Sequence, residues 1–160
     1  MLDIKPCLWF VAEAEEAANY YVSVFPNSRI AGVMRGAPGS PAIAVDFVLD
    51  GKPFLALNGR REPGFTDAHS FVVTCETQAD IDRYWDALTR AGEESQCGWL
   101  KDRYGVSWQI VPRAMGALLG GPDPAAAGRA VQAMLGMRKL DIATLERARQ
   151  GDKERAVSPG

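Results

Sequence analysis

Residues 96–112 read QCGWLKDRYGVSWQIVP, and the reading of this run decides the fold. Its second half alternates, as a strand with two unlike faces does: if Gln109 points to one side, Ser107 and Val111 point with it, while Trp108 and Ile110 point to the other. Asp102, Tyr104 and Gly105 are turn residues, so strands over 97–101 and 106–111 joined by a tight turn are predicted. Working outward, 76–91 (ETQADIDRYWDALTRA) has helical spacing, with Ile81, Tyr84, Trp85 and Leu88 on one stripe and Gly92 as its stop. A strand over 69–75 (HSFVVTC) precedes that helix, and a short one at Glu93-Glu94 fits after it.

The first half repeats the order. An apolar run over 4–11 suits a buried strand, and 14–24 (AEEAANYYVSV) turns to helical spacing until Pro26-Asn27 ends it. Strands follow over 28–34, 42–49 and 53–57, the last two joined by the hairpin signal Asp50-Gly51. Between the first two lies a Gly/Pro loop, 35–41 (RGAPGSP), whose shape suits a flap beginning at Arg35. Pro6 and His69, Glu13 and Glu76, and Tyr21 and Tyr84 are each 63 residues apart. The prediction is an α+β protein built from two βαβββ modules, about 4–59 and 69–112, a duplication visible in element order. From Arg113 the chain reads as a helical extension to about 150. One helix is opened by Pro122-Asp123-Pro124, another is capped by Asp141, and 151–160 is expected to be a disordered tail.

Composition excludes several classes. The 160 residues are 47% hydrophobic and 24% charged with a net charge of −2, which gives no cationic footprint for nucleic acid. No apolar run is long enough to span a membrane, and the start lacks the marks of a signal peptide, so a cytoplasmic protein is expected. Cys7, Cys75 and Cys97 are too few and too irregular for a disulfide framework or structural zinc. The single histidine, His69, is the one candidate imidazole base.

Four stretches together, LWFVAEAEEAANYYVSVFPNS, FVLDGKPFLALNG, SFVVTCETQADIDRYWDALTRAGEESQCGWLKDRYGVSWQIVP and VQAMLGMRKLDIATLERA, carry a family resemblance. The chain resembles the PhnB-like branch of the glyoxalase/bleomycin-resistance/dioxygenase (vicinal oxygen chelate) superfamily, many members of which are labelled 3-demethylubiquinone-9 3-methyltransferase. The resemblance implies a curved mixed sheet around a cavity, a homodimer and a small organic ligand. In metal-dependent members it also implies a divalent ion held near the start of each module's first strand and on each module's last strand. Here those positions fall on Pro6, His69, Leu55 and Gln109. One imidazole and one neutral amide hold such an ion weakly, so no cofactor is expected and a divalent metal is left as the open alternative. A methyl donor of the usual kind needs a Gly-rich loop after the first strand, and AEAEEAANYY has no glycine.

The inward faces are expected to include Leu8, Phe10, Leu55, Leu57, Phe71, Val73, Ser107 and Gln109, a mainly apolar lining with a few polar groups. Candidate catalytic residues are His69, as base or ligand, and Gln109, as an orienting group. Candidate ligand-binding residues are Phe10, Asn58, Phe71, Cys97, Trp99 and Ser107. Each has a plainer reading: Cys97 as a small packed side chain, Trp99 as core, Asn58-Gly59 as a turn, His69 as structural. Lys101 and Asp102 read most simply as a solvated hairpin, and the extension's alanine and methionine faces as a surface for a partner subunit. Two functions stay open: a metal-free binding protein, or an enzyme of the glyoxalase/dioxygenase or methyltransferase type.

Overall fold

The structure, a computed structural model, describes Leu2, Ile4–Arg60 and Gly64–Gly151. The chain divides into two compact units, Met1–Gly64 and Phe65–Gly160.

In the first unit β1 (Cys7–Phe10), α1 (Ala14–Val24), β2 (Arg29–Arg35), β3 (Ala42–Leu49) and β4 (Lys52–Asn58) form a four-stranded sheet in the order β1-β4-β3-β2. Among the described residues its one parallel pair is β1 with β4. The apolar stripe of α1 is made of small residues, Ala14, Ala17 and Ala18, which lets the helix approach the sheet closely; all three are fully buried with Tyr21. Tyr21 stacks on Phe47 at 6.3 Å between ring centroids, and Phe47 on Phe54 at 5.4 Å. Each such buried side chain contributes roughly 1.5–3 kcal/mol by leaving water.

The second unit repeats this path. β5 (Phe71–Cys75), α2 (Gln78–Thr89), β6 (Glu93–Glu94), β7 (Trp99–Lys101) and β8 (Ser107–Pro112) make a sheet in the order β5-β8-β7-β6, again with one parallel pair, β5 with β8. The stripe Ile81, Tyr84, Trp85 and Leu88 is buried as the helical spacing requires. Thr77 caps α2, its hydroxyl oxygen accepting from the Asp80 amide at 3.1 Å. The predicted pair of βαβββ modules is thus present with matching strand orders.

Facing differs from expectation on the first strand of each module. Leu8 and Phe10 pair in register with Ala56 and Asn58 on the α1 side and are 2% and 4% exposed; Cys7 and Trp9 take the other face with Leu55 and Leu57. Phe71 and Val73 likewise pair with Trp108 and Ile110 on the α2 side, Phe71 lying 5.2 Å from the Trp108 ring. Leu55, Leu57, Ser107 and Gln109 do face away from the helices. The strand CLWF is apolar on both faces, so alternation alone does not say which face meets the helix; in FVVTC the wholly apolar set Phe71, Val73 and Cys75 meets α2, and Val72 and Thr74 take the other face.

The extension forms α3 (Met115–Leu119), α4 (Pro124–Leu135) and α5 (Ile142–Gln150). Asp123 and Asp141 cap the last two, accepting from Ala126 and Thr144 amides at 3.0 and 2.6 Å. Ala126, Ala130 and Leu145 are buried within this unit, while Met134 and Met137 are half-buried. Residues 152–160, the expected tail, lie outside the described residues. Among the described residues no helix is long and apolar enough to cross a membrane.

Candidate functional site

In the second unit the face of the sheet turned away from α2 is set by register. Trp99 opposes Gln109 and Lys101 opposes Ser107 across β7–β8, while Val72 opposes Gln109 across β5–β8. Side chains opposed in register project to one side, so Trp99, Lys101, Ser107, Gln109 and Val72 share this face. The Ser107 hydroxyl donates to Asp67 Oδ1 at 2.7 Å, and Lys101 Nζ stands 3.5 Å from the same oxygen. The Ser107 hydrogen bond, helped by the Lys101 charge, holds the Asp67 carboxyl below its ordinary range. Gln109 Nε2 donates to Ser70 Oγ at 2.9 Å. A cleft of about 470 Å³ opens beside this face, with Asp67, Glu93, Gln96, Cys97, Trp99 and Lys101 in its lining.

Of the predicted residues, Trp99, Ser107 and Gln109 share this face, and Cys97 and Trp99 line the cleft. Trp99 is half-buried, so the indole is available on one side. Cys97 serves the backbone first. It takes φ 58°, unusual for a residue with a side chain, and its amide donates to Met137 O at 2.8 Å while Gly98 N donates to Arg138 O at 2.8 Å. Gly98, at φ 86°, is required: a Cβ there would sit 2.7 Å from Ile110 O.

The other predictions part from this group. His69 is exposed in a bend before β5, which starts at Phe71, two residues later than expected. Phe10 is buried on the α1 side, and Phe71 is half-buried on the α2 side. Asn58 is a structural clamp: its Oδ1 accepts from Ala14 N at 2.9 Å, and its Nδ2 donates to Ala42 O at 2.9 Å and Ala12 O at 3.2 Å. It supplies to the start of α1 the bond that Glu13 does not, since Glu13 turns back to accept from Ala12 N. Arg35 is tied down as well, to Glu15 in the first turn of α1 and to Ser40 O, so the Gly/Pro loop is fastened at its base. Cys75 is buried, and burial pushes its thiol up to about 11, which keeps it inert.

The residue the sequence reading missed is Asp102. It is 3% exposed, not solvated, and its two oxygens accept from Tyr104 N, Val106 N and the Trp108 indole. The available signal was its spacing: an aspartate with glycine three residues on and a helix-side tryptophan six residues on.

The metal positions implied by the fold do not fit a divalent ion. Pro6 and Leu55 have no side-chain donor, and Gln109 offers only a neutral amide oxygen, a weak ligand for such an ion. Among the described residues no three His, Cys, Asp or Glu side chains are grouped to hold a metal.

Residues 2–111 match the protein family described as 3-demethylubiquinone-9 3-methyltransferase. A PhnB protein from Bacillus cereus bearing the same label is 34% identical, with a TM-score of 0.63 over 69% of this chain and 99% of that one. Protein PA1353 from Pseudomonas aeruginosa is 18% identical, with a TM-score of 0.58 over 70% of this chain and 98% of that one. A fosfomycin resistance protein, FosX from Listeria monocytogenes, solved with Mn(II) and sulfate, is 13% identical with a TM-score of 0.52, over 67% and 88% of the two chains; that likeness is one of fold. No curated protein matches. With the family matched across both modules and a PhnB relative at 34% identity, the chain belongs to the 3-demethylubiquinone-9 3-methyltransferase family, in which it is PhnB-like.

Proposed function

We propose that this protein binds a small organic molecule on the face of β8 and β7 turned away from α2, without a divalent metal. The observation that carries the reading is the register pair Trp99–Gln109 beside Lys101–Ser107, which sets one aromatic surface among three polar side chains at the edge of a cleft. An indole offers a flat apolar surface, and the amide and ammonium groups fix orientation, which is the usual division of labour in small-ligand sites; the buried Ser107 hydroxyl holds Asp67 beside them. The donor set argues against metal assistance as the binding principle, because only His69 among the four implied positions is an ordinary ligand.

An enzymatic reading places His69 as the base. It is supported by the exposure of His69 and by its neighbour Ser70, whose hydroxyl accepts from Gln109. A methyl-transfer reading rests on the family description alone. β1 runs through Val11–Glu13 into α1 without a glycine, and each sheet has one parallel pair, unlike the parallel sheet that holds a nucleotide-type methyl donor.

The test is a titration of ¹⁵N-labelled protein with benzoate, catechol and indole, followed at the Trp99 indole N–H and the Gln109 side-chain amide. Binding that moves these two signals, leaves those of Trp85 and Trp108 in place and disappears in Trp99→Ala supports the proposal. Failure of all three probes to move either signal at millimolar concentration counts against it.

A further inference from the structure

We infer that Asp102 is the positioning residue of this face: its buried carboxylate locks the β7–β8 turn and so fixes which side chains stand together on it. The inference rests on the reading of that face as the binding surface, and it concerns how the surface is assembled instead of what touches the ligand.

Lys101 ends β7 and Ser107 begins β8, so Asp102 is the first residue of the connection. Its Oδ1 accepts from Tyr104 N at 2.9 Å and Val106 N at 3.1 Å, and its Oδ2 accepts from Trp108 Nε1 at 2.9 Å. The backbone closes the same turn, Asp102 N donating to Val106 O at 3.0 Å and Gly105 N to Asp102 O at 2.9 Å. Gly105 takes φ 82°, the left-handed conformation the turn needs. One carboxylate thus joins the turn to a side chain within β8 on the helix side.

The consequence appears on the opposite face. β8 keeps its own facing through the five-residue ladder with β5, so the turn decides which residues of β7 stand beside Ser107 and Gln109: a slip of one residue in β7 would put Leu100 on this face in place of Trp99 and Lys101. β7 is three residues long and its partner β6 two, so the sheet on that side has few ladder bonds of its own to hold register. The buried acceptor supplies what the short strands lack. An amide cannot replace it: in Asp102→Asn the oxygen can still take the two backbone N–H groups, but the NH₂ then faces the Trp108 N–H, donor against donor.

Asp102→Asn and Asp102→Ala are compared with wild type by ¹⁵N-edited NMR, with no ligand present, so that the result is independent of whether the binding proposal holds. The expected result for Asp102→Asn is a folded protein that keeps the cross-strand contacts of Val72 with Gln109 but loses those of Trp99 with Gln109 and Lys101 with Ser107. Its Trp99 indole signal is expected to split or broaden. A merely stabilising carboxylate would lower the melting temperature and leave both β7–β8 contacts intact with single signals; that result overturns the inference. If neither variant folds, hydrogen exchange in wild type decides. The Trp108 indole and Val106 amide should exchange together with the β7–β8 ladder, and exchange of either far faster than the ladder overturns the inference as well.

Discussion

The indole of Trp9 lies against Gly59 so closely that a Cβ on the glycine would fall 1.8 Å from Nε1. Gly59 is anchored by its own amide, which donates to Phe10 O at 2.8 Å, so the backbone cannot retreat. In Gly59→Ala the half-exposed indole must swing away. The expected cost is modest, about 1 kcal/mol, since an exposed ring can move where a core ring cannot. The distinguishing readout is a shift of the Trp9 indole N–H signal in a ¹⁵N-edited spectrum. An unchanged spectrum would mean that the indole does not rest on Gly59.

Metal content is the second test. Protein purified without an affinity tag is expected to carry only substoichiometric divalent metal, and His69→Ala is expected to leave that content unchanged. Two side-chain donors of which one is a neutral amide are too few for tight binding. Stoichiometric metal in wild type that disappears in His69→Ala would reverse the metal-free reading and make metal-assisted chemistry the leading account.

Stability should depend on pH mainly at the extremes. Hydrogen bonds from Lys139 and Gln78 hold Asp82 below its usual range, and bonds from Thr144 do the same for Asp141. A depressed native value means that the unfolded chain binds protons more readily. The stabilisation is therefore present above about pH 4 and is lost as pH falls through the native values. Lys139 is raised, chiefly by its bond to Asp82, so its share is full below the unfolded lysine value and is lost as pH rises through the native one. The melting temperature is expected to be level from about pH 5 to 9 and to fall below about pH 4. Asp82→Asn should weaken the fall; an equally steep acid limb in that variant would assign the acid sensitivity elsewhere.

Removal of the extension should damage the second module. Gln78 Nε2 donates to Leu140 O at 3.0 Å and its Oε1 accepts from Ile142 N at 2.9 Å, while the Cys97 and Gly98 amides also depend on the 137–138 backbone. A chain cut after Arg113 leaves these groups without partners and removes the fully buried Leu140, whose side chain lies beside Gly98. Loss of amide protection in β5–β8 with protection of β1–β4 retained is the expected outcome. A truncated chain with the melting temperature of the full one would show the extension to be dispensable.

Much of this was legible beforehand, for identifiable reasons. α1 and α5 begin and end where their spacing and breakers put them, and the Asp50-Gly51 hairpin and the Asp141 cap need only local chemistry. β8 could be oriented because serine and glutamine alternate with tryptophan and isoleucine. β1 could not be, since both its faces are apolar, and Phe10 falls on the helix side; in β5 the alternation of Val72 and Thr74 with Phe71, Val73 and Cys75 did point Phe71 to the helix and was outweighed by the expectation of an apolar cavity. Asn58 and Asp102 escaped because a polar residue near a turn is usually solvated; their partners, Ala14 and Ala42 for one and Trp108 for the other, are set by the folded backbone.

The Gln78 bridge has a consequence for synthesis. The chain leaves the ribosome from its N-terminus, and the first sheet is complete once β4 has emerged. The second sheet is different: the turn at Cys97-Gly98 and the start of α2 wait for partners at 137–142. Two modules of the same topology are thus made ready at different times. The first can settle while translation continues, and the second is held open until some thirty residues beyond its last strand have been made.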